Sequence, residues 1–420
     1  MPTYAFILGR KHLLSIAELC STIADSNDIF DIKWEALVAK FSKPLRSPQQ
    51  TLNRLGGTIK IAEIFAEIPL NQKDKIAQTI GDYLKKKFED ASSKIRYGVS
   101  IYNIEDRHEN FLKKILIFIK KFLTKNEIKS RFINHNFKNL ENAAIQGEKL
   151  LQDGAEIVII QGNKSLYIGE TKALQDFENY SKRDYDRPGR DPHLGMLPPK
   201  LAQIMINLTG LTTLEQPVPG AKTIYDSFCG VGTVLTEGLL MGYKVIGSDV
   251  KPEVITKSEE NIHFTLKNFS QTKENQKTAW RLFQQDATKI TKTDLPEAIS
   301  AVVTETFLGP PVSKFPSSDQ VQKTFTNIRW LVSGFLKAIH PLLKNGTPVV
   351  FSLLVYRQQQ RFVFIERLAE EVEKIGYEVV PLIPASILQK HGLQAARKPT
   401  LVYDRPDQIV GREIWKLMVK

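Results

Sequence analysis

Residues Asp226–Thr233 read DSFCGVGT, between a short apolar run, Thr223–Tyr225, and a helix-forming run, Val234–Met241. An acid closing a strand, glycines at a tight turn and then a helix bring backbone N–H groups close to a charged small molecule. The next apolar run, Lys244–Ser248, ends on Asp249. That is about the distance downstream at which such folds place a ribose-binding carboxylate. The pattern demands an α/β unit built around a nucleoside-containing ligand.

The chain beyond Thr223 continues the alternation. Helix-forming residues follow Pro252, and a third strand-like run, Thr278–Phe283, precedes Gln285–Asp286–Ala287. A fourth, Ile299–Thr304, leads to Glu305, and a long helix follows with Val321, Phe325, Ile328, Val332, Phe335 and Ile339 on one stripe. Strand Pro348–Leu354, helix Phe362–Ile375 and strands Glu378–Leu382, Pro399–Tyr403 and Glu413–Val419 complete the series. This predicts a doubly wound parallel sheet with extra antiparallel strands at its end. Ligands of such sheets bind beyond the carboxyl ends of the strands, which puts Asp226, Asp249, Asp286 and Glu305 on one rim.

The glycine turn discriminates between cofactors. A nicotinamide fingerprint needs three glycines, with the pyrophosphate on the helix N-terminus. Here Gly230 and Gly232 stand without a third, and Asp226 before them would repel a pyrophosphate. S-adenosylmethionine, with an ammonium group and a cationic sulfonium, suits that acid. In this assignment Asp249 accepts both ribose hydroxyls, and Asp286 with Ala287 brackets the adenine N6 edge. Phe228, Thr233, Val250 and Thr304 complete the candidate cofactor set.

The first ~175 residues mix both periods. Tyr4–Leu8, Ala36–Phe41, Ile95–Tyr102, Ile128–Asn134 and Ile157–Gln161 read as strands, and Leu13–Ala24, Lys73–Phe88, Asn110–Leu123 and Ala143–Leu151 as helices. They predict one or two small α+β units with no catalytic cluster. The 420 residues exceed what one core accommodates, and the net charge of +12 favours a polyanionic partner. Lys113, Lys114, Lys129 and Arg131 are the candidate nucleic-acid contacts in this half, within a basic set that includes Lys85, Lys86, Lys87, Lys120 and Lys121. The two cysteines, Cys20 and Cys229, form neither a disulfide framework nor a metal site. With no apolar run of spanning length and no signal peptide, the expectation is a cytoplasmic protein without a membrane partner.

Between the halves, Tyr180–Lys200 reads YSKRDYDRPGRDPHLGMLPPK: four prolines, two glycines and interleaved Arg and Asp predict a loop. Arg183, Arg187 and Arg190 with Asp184 and Asp191 either pair with one another, close over the cofactor or hold an RNA backbone; His193 and Lys200 are weaker candidates. Pro198 and Pro199 open a helix whose apolar face is Leu201, Ile204, Met205 and Leu208.

YSKRDYDRPGRDPHLGMLPPKLAQIMINL, DSFCGVGT and the tail LVYDRPDQIVGREI resemble the tRNA guanosine-10 N2-methyltransferase family. The likeness is strong over roughly Tyr180 to Asp249; before residue ~170 it rests on topology and on RLGGTIKIAEI at Arg54–Ile64. The resemblance implies a class I (Rossmann-like) methyltransferase domain over 211–420, a linker and first helix over 176–210, and an α+β region over 1–175 containing a THUMP-like tRNA-binding domain. It implies S-adenosyl-L-methionine as donor and tRNA as acceptor, gripped at its acceptor end through a basic N-terminal half. A small activating subunit stays open.

At the fourth strand end the chain departs from the family, which carries an Asp/Asn-Pro-Pro-aromatic motif. The acid or amide and a backbone carbonyl there accept hydrogen bonds from the base's amino group, and the aromatic ring stacks on the base. This chain has TETFLGPP at Thr304–Pro311. Glu305 replaces the acid, and Phe307 offers a stacking face, with Phe315 a second candidate. The expected activity is methyl transfer to an exocyclic amino group of a tRNA guanosine. The alternatives are a non-catalytic binder of S-adenosylmethionine and tRNA, or a DNA amino-methyltransferase. The tail Asp404–Glu413 is expected to form a hairpin on the sheet edge, with no chemistry.

Overall fold

A computed structural model describes every residue except 26–27, 92, 105–107, 191–195, 215–221, 270–278, 360 and 394–397. The chain divides into two compact units. The first comprises Met1–His12, Asp25–Asn53 and Thr58–Gln175; the second comprises Leu13–Ala24, Arg54–Gly57 and Asp176–Lys420. Two short N-terminal pieces therefore belong to the C-terminal unit, and the 176–210 segment is part of that unit.

The elements up to Gln175 are β1 (Thr3–Leu8), α1 (His12–Thr22), β2 (Ile29–Lys33), β3 (Ala36–Lys40), α2 (Pro48–Asn53), β4 (Thr58–Pro69), α3 (Ile76–Lys87), β5 (Ile95–Tyr102), α4 (His108–Lys125), β6 (Ser130–Phe132), α5 (Asn142–Gly147), α6 (Leu150–Asp153), β7 (Gly154–Gln161) and β8 (Ser165–Leu174). The first unit is built on an eight-stranded sheet of order β2-β3-β1-β4-β8-β7-β5-β6. Its β5–β7 and β5–β6 pairs are parallel and the others antiparallel. Ile76, Ile80 and Leu84 of α3 recur every fourth residue and share a core with Leu112, Leu116, Ile119 and Leu123 of α4. Inside the sheet, Glu156 is paired with Lys60 at 2.6 Å and accepts from Ser100 and Thr171. Burying that charge requires such a full set of partners.

Three strands here escape the sequence pattern: β2, β4 and β8. Interior strand β8 carries Glu170, Thr171 and Lys172, which break the apolar alternation. Tyr83, Lys87 and Lys172 all bond the Glu170 carboxylate, so the polar run is satisfied where it lies.

The second unit adds α7 (Phe177–Tyr185), α8 (Pro199–Leu208), β9 (Thr223–Asp226), α9 (Thr233–Leu240), β10 (Lys244–Asp249), α10 (Pro252–Phe269), β11 (Trp280–Gln284), β12 (Ala301–Glu305), α11 (Ser318–Ile339), β13 (Pro348–Gln358), β14 (Arg361–Val363), α12 (Leu368–Ile375), β15 (Tyr377–Val379), α13 (Ala385–His391), β16 (Leu401–Tyr403) and β17 (Val410–Val419). The sheet order is β11-β10-β9-β12-β13-β17-β15, with β14 on β13 and β16 on β17. Strands β9 to β13 on this path pair in parallel, and β17 runs antiparallel between β13 and β15. This is the doubly wound, Rossmann-like arrangement that the sequence pattern predicts. Its topological switch point lies where β9 is flanked by β10 and β12, the place at which such sheets bind ligands. α11 opens with a capping box, Ser317 and Gln320, and buries Phe325, Ile328, Val332, Phe335, Leu336 and Ile339 in the main core.

Two sequence expectations for this half change. The Tyr180–Lys200 stretch is not wholly a loop: α7, capped by Asp176, runs through Tyr185. The helix expected from Phe362 starts at Leu368, because Arg361–Val363 pairs with β13 and Arg367 takes a φ of +61° at the helix start. The third strand's expected first residue, Thr278, lies outside the described residues.

The Gly56–Gly57 pair has a specific cause. The buried Glu18 carboxylate accepts from both glycine amides, at 2.9 and 2.8 Å, and from Asn207 Nδ2 at 2.7 Å. A Cβ on Gly56 would stand 2.0 Å from the Lys200 carbonyl oxygen, and one on Gly57 2.6 Å from Ser15 Oγ. All of these residues belong to the second unit.

Candidate active site at the carboxyl ends of the parallel strands

The four acids expected on the rim stand at or just beyond the carboxyl ends of β9, β10, β11 and β12. Asp226 closes β9 and is 2 % exposed. Thr304 Oγ1 donates to its Oδ1 at 2.6 Å, and the Phe228 amide lies 3.2 Å from both Oδ1 and Thr304 Oγ1. Oδ2 accepts no hydrogen bond among the described residues. Burial pushes this carboxyl up to about 7; Thr304 and the Phe228 amide oppose the rise, and the charges of Asp249 and Glu305 add to it. Among the described residues no cation pairs with Asp226 to offset this cost.

The glycine turn is fixed by its neighbours. Gly230 and Gly232 take φ of +51° and +82°, the left-handed region that glycine enters freely. A Cβ on Gly232 would also approach Ser258 Oγ to 2.2 Å. The Gly230 amide donates to Asp249 Oδ2 at 3.0 Å and the Lys251 amide to Oδ1 at 3.0 Å. Each Asp249 oxygen retains a lone pair, so the carboxylate is oriented and still able to accept. Val250 beside it is 57 % exposed. Asp286 caps a short 3₁₀ turn, Ala287–Lys289, through the Thr288 amide and hydroxyl at 2.9 and 2.8 Å, which hold its carboxyl below the ordinary value. Ala287 is buried, and Phe228 packs edge-on against Phe335 at 5.4 Å. Ser227 Oγ is buried with no partner among the described residues.

The segment before α8 contributes from a distance in sequence. Arg187 is buried; its Nη1 donates to Thr233 Oγ1 at 2.7 Å and its Nη2 to Met196 Sδ at 3.3 Å. Gly189 donates to Asn261 Oδ1, whose Nδ2 donates to the Val231 carbonyl in the glycine turn, both at 2.8 Å. Arg183 forms a forked pair with Glu237 of α9, at 2.7 and 3.3 Å. Burial raises the Glu237 carboxyl and Arg183 opposes the rise. These partners take Arg183 and Arg187 out of reach of an RNA phosphate, and both instead brace the turn and the helix after it. Arg190 is exposed and stacks on Tyr185 at 4.9 Å, while Lys200 lies 5.0 Å from the Tyr180 ring. Asp191 and His193 lie outside the described residues.

At the end of β12 the backbone of TETFLGPP is held by the neighbouring strand. Thr306 donates both its amide and its hydroxyl to the Ser352 carbonyl, at 3.1 and 2.9 Å. Phe307 is 54 % exposed, and Gly309 turns the chain with φ of +79°. Phe315 packs on Tyr356 at 6.0 Å. Glu305 Oε1 accepts from Arg412 Nε at 2.5 Å, while its Oε2 has no partner among the described residues. Arg412 lies in the tail that the sequence left without chemistry. That tail does form a hairpin, β16 on β17, although β17 lies inside the sheet. No local signal links Arg412 to Glu305, 107 positions away.

In the first unit, Lys113, Lys114 and Lys129 are exposed, and Lys113 Nζ sits 5.3 Å from the Phe137 ring. Arg131 donates to Glu148 at 2.8 Å and remains half exposed. Among the described residues no helix is long and apolar enough to cross a membrane.

No family model matches the chain. Two curated relatives are named tRNA (guanine(10)-N2)-dimethyltransferase. That of Methanothermobacter thermautotrophicus is 26 % identical over 205 residues, 47 % of this chain and 52 % of the relative. That of Pyrococcus abyssi is 29 % identical over 138 residues, 31 % of this chain and 38 % of the relative. The matches thus span about half the length of the first relative and less of the second. Among solved structures, TrmN from Thermus thermophilus is similar over 100 % of both chains with a TM-score of 0.51 at 11 % identity, a likeness of fold. The relatives are of the kind that the motifs at 180–249 resemble.

Proposed function

We propose that this chain transfers a methyl group from S-adenosylmethionine to an exocyclic amino group of a tRNA guanosine, N2 of position 10 by analogy with its curated relatives. The observation that carries the reading is that two carboxylates on neighbouring strands at the switch point each keep one oxygen with no hydrogen bond among the described residues. Among the described residues, Asp226 Oδ2 accepts no hydrogen bond at the end of β9, and Glu305 Oε2 accepts none at the end of its sheet neighbour β12.

The residues fit a cationic nucleoside cofactor. Asp226, raised by burial and by Asp249 and Glu305, gains most from a positive group, and Ser227 Oγ beside it has no partner among the described residues. Asp249, oriented by the Gly230 and Lys251 amides, would accept ribose hydroxyls, with Asp286 and Ala287 beside the adenine edge. The bound cofactor would supply an electrophilic methyl group on a sulfonium. The rest of the chemistry falls to the chain. The amino group of guanine is a poor nucleophile because its lone pair is delocalised into the ring. Glu305 Oε2 accepts an amino hydrogen and stabilises the positive charge that grows on nitrogen. Phe307 presents an exposed ring on which a base can stack.

The N-terminal unit is proposed to serve as the tRNA grip, THUMP-like in role, through Lys113, Lys114 and Lys129. Arg190 and Lys200 are proposed as further RNA contacts on the C-terminal unit. The reducing cytoplasm, where tRNA is processed, suits a chain with two unpaired cysteines.

Transfer of radiolabelled methyl to total tRNA in competition with duplex DNA tests the reading. The wild-type chain should label tRNA, Glu305→Gln should keep cofactor binding and lose transfer, and Asp226→Ala should lose cofactor binding. Binding of both ligands without transfer would make this a non-catalytic binder, and preferential labelling of duplex DNA would make it a DNA amino-methyltransferase.

A further inference from the structure

Resting on the methyltransferase reading, we infer that Arg412 is a positioning residue that lets a glutamate stand where related enzymes use a shorter acid or amide. A glutamate has one more methylene, hence one more torsion, between backbone and carboxylate. A loose carboxylate is costly, since a misplacement of about 1 Å can lose about 10²-fold in rate. In this chain the carboxylate is not loose. Arg412 Nε holds Oε1 at 2.5 Å, leaving Oε2 as the acceptor. Both side chains are largely enclosed, at 7 % exposure for Arg412 and 17 % for Glu305.

The guanidinium is itself anchored. Arg412 Nη2 donates to the Met196 carbonyl at 3.4 Å, and Met196 Sδ accepts from Arg187, whose other nitrogen holds Thr233 at the glycine turn. A series of hydrogen bonds therefore runs from the cofactor turn through Arg187, Met196 and Arg412 to Glu305. The arginine's fork serves both ends from two nitrogens of one rigid plane, with Nε on the carboxylate and Nη2 on the backbone, whereas a lysine would have to reach both from a single nitrogen. The tail motif GREI thus acquires a function: its arginine completes the acceptor side of the site from the antiparallel strand β17.

The test measures kcat, KM for tRNA and cofactor affinity for Arg412→Lys and Arg412→Met, each alone and combined with Glu305→Asp. The proposal predicts a fall of about 10²-fold in kcat for Arg412→Met, partial recovery in Arg412→Lys, and cofactor affinity unchanged within about threefold in both. It also predicts that Arg412→Met costs markedly less in the Glu305→Asp background, where no long arm needs holding. An equal loss in both backgrounds would mean a merely structural arginine and would overturn the proposal, as would an unchanged kcat. If Arg412→Met does not fold, Arg412→Lys decides alone: a kcat lowered at least tenfold supports the role and an unchanged one refutes it. A wild-type chain that labels no tRNA defeats the underlying reading and this proposal with it, whereas an active wild type indifferent to Arg412 defeats only the proposal.

Discussion

Asp226→Asn replaces a buried carboxylate by a neutral group of the same shape that can still accept from Thr304 and the Phe228 amide. In the ligand-free chain the Asp226 carboxyl is raised from an ordinary 3.8 to about 7, chiefly by burial. The folded state thus binds more protons than the unfolded state between about pH 4 and pH 7. The associated stability is fully present below about pH 4 and is lost as pH rises through 7. At 1.36 kcal/mol for each tenfold change, the rise corresponds to about 4 kcal/mol by pH 8. Asp226→Asn is therefore expected to be more stable than wild type at pH 8, by a few kcal/mol, and to lose that advantage towards pH 5. Glu18, also pushed up to about 7 by burial, tilts both proteins in the same direction and cancels in the comparison. The assay is urea unfolding at pH 5, 6, 7 and 8, followed by fluorescence of Trp280, Trp330 and Trp415 in the second unit. A variant that is equally or less stable than wild type at every pH would refute a buried, charge-penalised Asp226. The same reasoning extends to binding. A positive ligand group needs the ionised carboxyl, so cofactor affinity should fall about tenfold per pH unit below 7, and a flat profile from pH 5.5 to 7 would contradict it.

Arg183→Met leaves the fully buried Glu237 without its hydrogen-bonded cation and should destabilise the second unit by about 3–5 kcal/mol, read by the same unfolding assay; a loss under 1 kcal/mol would show that the pair carries little. Lys113→Glu with Lys114→Glu should weaken tRNA binding and lower the slope of log affinity against log salt by about one for each phosphate no longer neutralised. Unchanged affinity and slope would remove α4 from the RNA surface.

Much of the second unit was legible because its signals are local. Each of the parallel strands β9 to β12 ends at or just before an acid, and the glycines of DSFCGVGT announce the turn. Arg412 was invisible because its partner is brought to it by an antiparallel return of the chain. Arg183 and Arg187 misled for the opposite reason: their proline-rich, charged surroundings read as an exposed loop, whereas Glu237 and Thr233 draw them inside. The strand at Arg361–Val363 was hidden in an amphipathic run that becomes helical only after Arg367. In the first unit β8 was missed because Glu170 and Thr171 find buried partners that composition alone does not reveal.

Methyl transfer to a guanosine amino group is read directly by nucleoside mass spectrometry of unmodified tRNA incubated with the purified chain and S-adenosylmethionine. N2-methylated guanosine should appear with the wild-type chain and be absent with Glu305→Gln. A nucleoside profile identical before and after incubation, or a methyl group on a different base, would contradict it.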